Sequence, residues 1–579
     1  MSTDFLQQLQ QLIEDEQEVA YARLFELWQR PLADKLRKGI SQGFVQLDPG
    51  PEPGTLWAWP DGSESRFREG DLLLLHQGDA LTPLGRQLSF EAEDESRWLL
   101  RGEQADQVLK AYQSGACYAE PDTLNMAGYY RLSLEEIGSS RIGQELLLPL
   151  LMGRLEPTLD EAAMDEALQI ARREQFNERQ AEAVSWAHGA HHIACIQGPP
   201  GTGKTRVLGL IVRLAVACGE RVLVSSHTHT AINNALNAIA AHGVPLVKVG
   251  RSTQSKALHA GIAMVEKLGE WHERPERPGQ GYVVGATPFA TCSRRLQDYS
   301  FDTVVFDEAS QITLPLALMA MRKARRYIFI GDQRQLPPVL LTRSVLDGRQ
   351  HSVFAHLTHA GGDHVVMLEE TYRMNQWLAA WPSGHYYGGR LQATGSNAQR
   401  QLQLDWAAVP QPWQAALAAD QPLVFIPTRD GQARTSNLAD AELVAELCEA
   451  LLGAGLPAHA IGIVSPFRAQ GRLIRKQLQW RLGLHNARQI LADTVERMQG
   501  QEREVVILSL ASGDHDFIAA AAAFLFQPER INVSITRAKI KLLVIGPEGL
   551  DASDIEHPTL RRWLQQYQSL LAHCHRVPL

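Results

Sequence analysis

The 579-residue chain lacks several features that would define its class at once. It has no apolar run near the roughly 18 residues that a membrane helix needs, and the stretch 518–526 has about half that length. Its six cysteines form no C-x-x-C pair, which argues against a zinc site, an iron–sulfur cluster or a disulfide framework. The net charge of -9 gives no overall basic character. Any nucleic-acid partner must therefore meet a local basic groove on an acidic body.

The N-terminus is acidic and amphipathic, whereas a signal peptide begins basic and continues apolar. This difference predicts a cytoplasmic protein that does not contact a membrane. Hydrophobic residues make up 45% of the chain and charged residues 21%, which is ordinary for a globular protein. At this length the chain is expected to contain several domains.

The hydrophobic pattern changes along the chain and divides it into five predicted segments. These are a stalk helix at 1–45 broken near Pro31, a small β-barrel at 46–102, connecting helices at 103–165, and two domains at 166–345 and 346–579. In the last two, apolar strands alternate with helices, which predicts an α/β fold with two doubly wound parallel sheets. The second set of strands is expected to begin near residue 364.

The stretch "GPPGTGKT" follows an apolar strand and precedes a helix. Glycines there free successive backbone N–H groups to surround phosphate oxygens at a helix N-terminus. The lysine can reach the β- and γ-phosphates, and the last threonine can ligate Mg²⁺. The sequence therefore predicts a nucleoside-triphosphate site formed by Gly198, Pro199, Pro200, Gly201, Thr202, Gly203, Lys204 and Thr205.

Two acids and two arginines are candidates for the hydrolytic machinery. Asp307 and Glu308 end the apolar run "TVVF", where open α/β sheets bind ligands. Asp307 is predicted to hold Mg²⁺, and Glu308 to orient and deprotonate the attacking water. Arg373 and Arg537 are candidates for stabilising the charge on the γ-phosphoryl group. Taken alone, either arginine is more often a surface ion-pair partner.

The motifs resemble those of superfamily 1 helicases of the up-frameshift and senataxin-like branch. The resemblance covers about the last 400 residues and is carried in order by "FNERQAEAV", "GPPGTGKT", "SSHTHTAINNAL", "VVGATPFA", "VVFDEASQI", "IGDQRQLPPV", "LEETYRMN", "IVSPFRAQ", "LADTVERMQGQEREVVILS" and "RINVSITRAKIKLLVIG". It implies two RecA-like domains that hydrolyse ATP with Mg²⁺ and move 5′ to 3′ on single-stranded DNA or RNA. It also implies that the stalk and barrel form an accessory domain over the strand.

The resemblance further implies individual roles. Gln180 contacts adenine, Tyr372 stacks on the base, and Glu502 contacts the ribose. Gln335 senses the γ-phosphate, while Arg373 and Arg537 occupy the arginine-finger positions. The residues implied to line a single-strand channel are Thr228, His229, Thr230, Thr287, Pro288, Pro466, Phe467 and Thr494.

The sequence departs from the nuclease-helicase type of this branch at two positions. Asn233 stands where an acid is usual, and Met498 stands where an aromatic residue is usual. The cysteine-bound cluster of that type is also missing from the sequence. We therefore expect no attached nuclease.

Three hypotheses remain open from sequence. The first is an ATP-dependent helicase or translocase, the second a nucleotide-gated remodelling module that does not unwind, and the third an ordinary P-loop enzyme such as a nucleotide kinase. The choice between DNA and RNA rests on contacts to the 2′-hydroxyl, which the motifs do not encode. Protein partners are equally open, with a monomer as the simplest expectation.

Overall fold

A computed structural model describes residues 2–63, 65–67, 69–94, 97–112, 114–251, 254–275, 277–342, 352–359, 364–428 and 430–578. These residues form a helical stalk, a closed β-barrel and two parallel sheets flanked by helices. The predicted α/β class and its two doubly wound sheets are confirmed. None of the described helices has the length and apolar character needed to cross a membrane.

The stalk consists of two helices, α1 (Ser2–Gln29) and α2 (Leu32–Arg37), and Pro31 lies between them as predicted. Leu9 and Ile13 of α1 pack into the core of the first parallel-sheet domain. At the far end of α1, the indole Nε1 of Trp28 donates a hydrogen bond of 2.9 Å to the carbonyl of Pro121 in the barrel. The stalk therefore joins the barrel to the first domain.

The barrel closes through six antiparallel strands in the order β1-β2-β5-β4-β3-β6. Their bounds are β1 (Gln42–Pro49), β2 (Thr55–Pro60), β3 (Leu72–His76), β4 (Gly85–Asp94), β5 (Arg97–Arg101) and β6 (Cys117–Pro121), with helix α3 (Ala105–Ala111) before β6. The carboxylate of Glu120 is buried and accepts hydrogen bonds from Lys35 at 2.7 Å and Ser41 at 2.9 Å. This buried cluster fixes α2 to the barrel.

The predicted barrel boundary at residue 102 is wrong. Strand β6 pairs with both β1 and β3 and closes the barrel, so the domain extends to Pro121. Ala105 and Val108 of α3 fill the barrel core. A five-residue strand after a short helix carries too little periodic signal to identify from sequence. The connecting helices then follow as α4 (Ala127–Ser139), α5 (Leu148–Leu151) and α6 (Glu161–Arg173).

The first parallel-sheet domain, here called lobe 1, contains an eight-stranded sheet in the order β10-β9-β11-β8-β12-β13-β7-β14. In chain order its elements are α7 (Glu178–Gly189), β7 (Ile193–Gln197), α8 (Lys204–Ala217), β8 (Arg221–Ser225), α9 (His229–Ala240), β9 (Leu246–Val249), β10 (Ala263–Val265), β11 (Tyr282–Gly285), β12 (Thr303–Phe306), α10 (Leu314–Met321), β13 (Arg326–Gly331), α11 (Val353–Thr358) and β14 (Val365–Met367). Ile193 and Cys195 face one apolar cluster, while Ala194 and Ile196 face another. Both faces of the sheet are therefore covered, which explains the continuous apolar strands.

The second parallel-sheet domain, lobe 2, has a six-stranded sheet in the order β19-β18-β20-β21-β17-β22. Its elements are β15 (Glu370–Thr371), α12 (Gln376–Tyr386), β16 (Gln392–Ala393), α13 (Gln414–Leu417), β17 (Leu423–Pro427), α14 (Leu438–Gly453), β18 (Ile461–Ser465), α15 (Arg468–Gln489), β19 (Leu491–Thr494), α16 (Val495–Met498), β20 (Arg503–Ser509), α17 (His515–Ala520), α18 (Ala522–Leu525), α19 (Pro528–Ile535), β21 (Ala538–Gly546), α20 (Pro558–His573) and β22 (His575–Arg576). Val424 and Phe425 point into opposite apolar clusters, so this sheet is also covered on both faces.

The strand predicted to open lobe 2 belongs to lobe 1. Strand β14 pairs in parallel with β7, with Val366 opposite Ile196, at the edge of the first sheet. The predicted boundary at residue 345 therefore falls too early, and lobe 2 begins after Met367. The sequence pattern does not reveal this exchange because an apolar strand at either sheet edge has the same composition.

Candidate functional site

The two lobes enclose a cleft of about 610 Å³ at the carboxyl ends of their strands. Lobe 1 contributes Pro200, Gly201, Thr202, Gly203, Lys204, Thr205, His227, Thr228, Thr230, Ala231, Asn234, Asp307, Glu308, Gln311 and Gln335; lobe 2 contributes Tyr372, Arg373, Glu496, Gln499, Gly500, Glu502 and Arg537. Positively and negatively charged side chains from both lobes therefore line the same cleft.

The glycine-rich loop between β7 and α8 has the backbone of an anion cradle. Gly201 and Gly203 have φ angles of 75° and 82°, in the left-handed region that glycine adopts readily. The loop ends at Lys204, the first residue of α8, so the N-terminus of this helix opens into the cleft. The ammonium group of Lys204 donates to the carbonyl of Gly198 at 2.6 Å. This arrangement can surround phosphate oxygens with backbone N–H groups.

The same loop is in direct contact with lobe 2. The Thr371 hydroxyl donates to the carbonyl of Pro200 at 2.8 Å, and the Tyr372 amide donates to the carbonyl of Gly201 at 2.9 Å. A Cβ atom added to Gly201 would lie 2.4 Å from the Cβ of Arg373. The loop and the segment that carries Arg373 are therefore packed without space for a methyl group.

Asp307 and Glu308 follow β12 and line the cleft beside the loop. Burial, together with the neighbouring Glu308, raises the pKa of Asp307 to about 7, and Lys204 opposes this rise. Glu308 has a φ of 52°, which is uncommon for a residue with a side chain. The hydroxyl of Thr205 and the carboxylate of Asp307 are oxygen donors of the kind that Mg²⁺ prefers, so the residues fit this ion.

Arg373 and Arg537 both reach the cleft from lobe 2, but they have different partners. Arg373 pairs with Glu502 through Nε at 2.5 Å. Arg537 is only 2% exposed, and its guanidinium donates to the carbonyls of Val533 and Gln501 and to the Thr536 hydroxyl. Burial and the nearby Arg373 lower the pKa of Arg537 to about 9. A cation held by neutral oxygens in a buried cleft favours an anion beside it.

Of the residues implied to contact the nucleoside, Tyr372 and Glu502 line the cleft, whereas Gln180 does not. Tyr372 exposes 39% of its surface, and its hydroxyl accepts a hydrogen bond from Asn177 at 2.9 Å. Gln180 lies beneath the glycine-rich loop, where its amide donates to the carbonyl of Thr202 and accepts from the Asn177 amide. Arg373 and Lys539 hold the pKa of Glu502 below its usual range, although burial acts in the opposite direction.

Gln335 follows β13 and faces the cleft from a buried position. Its amide donates to Oδ2 of Asp332 at 2.9 Å. Asp332 is buried at the end of the strand, and burial raises its pKa. The orientation of Gln335 is thus fixed by a second residue of the same loop.

The residues implied to line a strand channel all follow carboxyl ends of strands, but they do not share one cavity. Thr228 and Thr230 line the cleft with the glycine-rich loop, and Thr494 lines a separate pocket. Phe467 lies 5.4 Å from the ring of Phe524 and is half-buried. His229, Thr287, Pro288 and Pro466 stand at the starts of the segments that follow β8, β11 and β18. Their roles stay predictions.

The separate pocket contains a basic cluster that sequence reasoning missed. This pocket of about 200 Å³ lies between the barrel and lobe 2, and we call it the arginine pocket. It is lined by Ser65, Arg66, Phe67, Arg468, Gly471, Arg472, Arg475, Asp493, Thr494 and Arg497. Burial and repulsion from Arg472 and Arg468 lower the pKa of Arg66. Among the described residues, no carboxylate is in ion-pair contact with these three arginines.

The spacing of arginines in the sequence could have revealed the part of this pocket that α15 forms. Arg468, Arg472 and Arg475 recur at spacings of four and three, which places them on one face of α15. Arg66 carries no comparable signal, because only the folded barrel brings it to lobe 2.

Lobe 1 carries a further buried cation near the predicted channel. Lys248 of β9 lies opposite Gly285 of β11, two residues before Thr287. Its ammonium group is buried without a hydrogen-bond partner among the described residues, and burial lowers its pKa to about 7. Burial, with Lys248 and Arg295, lowers the pKa of His229 to about 4.

Asn233, which stands where an acid is usual, has a structural role here. Its side-chain amide donates to the carbonyls of Gln254 and Lys256.

Comparison with known proteins adds two matches to family models, each described as an AAA domain, at residues 175–396 and 349–549. The DNA replication ATP-dependent helicase/nuclease DNA2 of Mus musculus is 27% identical over 444 residues, which cover 71% of this chain and 41% of that protein. The Saccharomyces cerevisiae protein of the same name is 28% identical over 433 residues, covering 70% of this chain and 28% of that protein. These matches support the predicted resemblance to superfamily 1 helicases.

The superfamily 1 relatives are longer proteins, and this chain spans 28 to 41% of the length of the first few. Among solved structures, the arterivirus nonstructural protein 10 (helicase) is 14% identical, with a TM-score of 0.38, covering 91% of this chain and 83% of that chain. The branch within superfamily 1 stays a prediction.

The packing at Gly201 generates a test of the contact between the lobes. We expect Gly201→Ala to destabilise the protein by at least about 1 kcal/mol more than Gly243→Ala, because only Gly201 would place its methyl group against lobe 2. Both glycines have positive φ angles, 75° and 68°, and Gly243 has open space beside it. Thermal unfolding and the radius of gyration from small-angle scattering measure the effect. Equal stability of the two variants would contradict this contact.

Proposed function

We propose that the chain is an ATP-driven motor that moves along single-stranded nucleic acid and separates the strands of a duplex. The observation that supports it most is the convergence of Lys204 from lobe 1 with Arg373 and Arg537 from lobe 2 on one cleft. A nucleotide kinase would not need a second parallel-sheet lobe to supply these cations. The relatives are described as DNA replication helicase/nucleases, which favours DNA as the strand.

In this proposal the glycine-rich loop and Lys204 bind the triphosphate, and Tyr372 stacks on the base. Glu502 and Gln180 contact the nucleoside. Gln180 reaches the nucleoside by giving up its hydrogen bond to the Thr202 carbonyl. Thr205 and Asp307 would hold Mg²⁺, and this ion would supply positive charge that offsets the charge of the phosphates. Glu308 accepts the proton of the attacking water, and Gln335 reports the presence of the γ-phosphate.

The ion pair between Arg373 and Glu502 supplies a switch for this cycle. A γ-phosphate in the cleft competes with Glu502 for Arg373 and offers Arg537 its missing anion, so it favours a tight cleft. Hydrolysis and phosphate release remove that charge, and the lobes separate. Alternating closure then moves a strand that both lobes hold. The 5′ to 3′ direction is carried over from the resemblance.

The arginine pocket supports a path for the strand. Its cations and the hydroxyl of Thr494 suit phosphate groups, and it lies between lobe 2 and the barrel, which the resemblance implies lies over the strand. The pocket provides the local basic surface that an acidic protein needs in order to bind a polyanion. Phe467 can stack on a base next to it, which is typically worth about 1 to 3 kcal/mol.

Duplexes with single-stranded tails test the proposed activity. We expect ATP-dependent strand displacement with a 5′ tail and none with a 3′ tail, and no displacement by Lys204→Ala. Nucleic-acid-stimulated hydrolysis without displacement would instead indicate the non-unwinding remodelling module. Hydrolysis that single strands do not stimulate would reject both and favour a P-loop enzyme of another class.

The role proposed for Arg537 has a separate test. Arg537→Ala should reduce ATP hydrolysis by roughly 10³ to 10⁵ fold and change ATP affinity far less, because the charge that its cation contacts increases in the transition state. Steady-state hydrolysis and equilibrium binding of a fluorescent ATP analogue provide the two readouts. Arg576→Ala is the control, since Arg576 forms an exposed ion pair with Glu548 on the same lobe. Wild-type turnover in Arg537→Ala would remove Arg537 from the site.

The arginine pocket predicts a change in salt dependence. We expect Arg472→Ala to weaken single-strand binding and to reduce the slope of log K against log salt by about 0.7, the contribution of one phosphate contact. Arg481→Ala is a matched control on the same helix, because Glu446 and Glu449 already neutralise Arg481. Fluorescence anisotropy over a salt series gives both slopes. Identical slopes for wild type and Arg472→Ala would exclude the pocket from the strand path.

A further inference from the structure

A buried hydrogen-bond bridge connects the lobes behind the cleft. At its centre is the hydroxyl of Tyr387, which follows α12 in lobe 2 and is 3% exposed. This hydroxyl donates to Oδ2 of Asp332 in lobe 1 at 2.8 Å. It also accepts a hydrogen bond from the side-chain amide of Asn532 on α19 at 2.8 Å. Both partners are buried, with exposures of 1% and 0%.

On the lobe 1 side, the bridge leads to Gln335. The same oxygen of Asp332 that accepts from Tyr387 also accepts from the Gln335 amide at 2.9 Å. The amide of Asn532 donates in addition to the carbonyl of Arg334, the residue before Gln335, at 2.8 Å. Two hydrogen bonds from lobe 2 therefore hold the short loop that carries Gln335.

On the lobe 2 side, the bridge leads to Arg537. Asn532 lies one helical turn before Thr536, whose hydroxyl donates to the carbonyl of Asn532 at 2.6 Å. The guanidinium of Arg537 donates to that same hydroxyl at 3.3 Å. A continuous set of buried contacts thus runs from Gln335 through Asp332, Tyr387 and Asn532 to Arg537.

We propose that Tyr387 is a positioning residue that couples Gln335 of lobe 1 to Arg537, which follows helix α19 of lobe 2. This inference rests on the proposed hydrolysis of ATP in the cleft. Because no water replaces a lost partner in a buried network, these hydrogen bonds favour one relative placement of the two groups. Tyr387 does not touch the nucleotide, so it acts on the rate of turnover and not on ATP binding.

Tyr387→Phe tests the coupling by removing only the hydroxyl group. We expect kcat for ATP hydrolysis to fall about tenfold or more, with ATP affinity and KM within about twofold of wild type. The adjacent Tyr386 supplies the matched control, because its buried hydroxyl has no hydrogen-bond partner among the described residues. Tyr386→Phe should keep the wild-type kcat. Equal kcat in wild type and Tyr387→Phe would overturn the proposal.

A double-mutant cycle with Gln335→Ala distinguishes coupling from general loosening of the fold. If Tyr387 acts through Gln335, adding Tyr387→Phe to Gln335→Ala should change kcat by less than about twofold. Reductions that multiply would contradict the proposal. Asn532→Ala breaks the bridge on the other side of Tyr387 and should reproduce the loss of kcat. If Tyr387→Phe does not fold, a wild-type kcat in Asn532→Ala would overturn the proposal.

The outcomes also separate this inference from the proposed function. A wild-type protein without ATP hydrolysis would reject the motor and the coupling together. A wild-type protein that hydrolyses ATP, with Tyr387→Phe and Asn532→Ala equally active, would reject the coupling alone.

Discussion

The structure depends on a buried positive charge that forms no ion pair among the described residues. Arg537 is almost fully enclosed at the interlobe cleft and is held by carbonyl and hydroxyl oxygens. Burying an unpaired cation is costly, and a polyanion beside it recovers part of that cost. The glycine-rich loop across the cleft is built for the same kind of anion. In the proposed function, each lobe therefore supplies one half of a phosphate site.

The rest of the fold explains how these halves are held in place. Parallel sheets bring their strand ends to one edge, and the cleft forms where the edges of the two sheets meet. An ion pair with Glu502 holds Arg373 at the cleft. Hydrogen bonds from Tyr387 and Asn532 connect lobe 2 to the loop that carries Gln335. The barrel completes a second cationic site at Arg66, away from the interlobe cleft. Two cationic sites of different architecture fit the proposal that the protein binds a nucleotide and a strand at once.

Much of this arrangement could be predicted from local sequence. The glycine-rich loop, the acids after β12 and nearly all central strands depend on short apolar runs and turn residues, which are visible in the chain itself. The exchange of β14 into lobe 1, the closing strand β6 and the partnership of Arg66 with α15 could not be predicted. Each depends on which distant segment supplies a neighbour, and composition does not encode that choice. The hydrogen bond from Gln180 to the Thr202 carbonyl and the Tyr387 bridge could not be predicted either, because both join residues that are distant in the sequence.

In the proposed function, one triphosphate joins charges from both lobes. A crystal structure of the protein with Mg²⁺ and a non-hydrolysable ATP analogue tests this directly. The account predicts that the guanidinium groups of Arg373 and Arg537 both lie within hydrogen-bond distance, about 2.7 to 3.1 Å, of γ-phosphate oxygens, with Arg373 released from Glu502. A γ-phosphate bound by lobe 1 alone, with both arginines still on the oxygens they contact now, would contradict it.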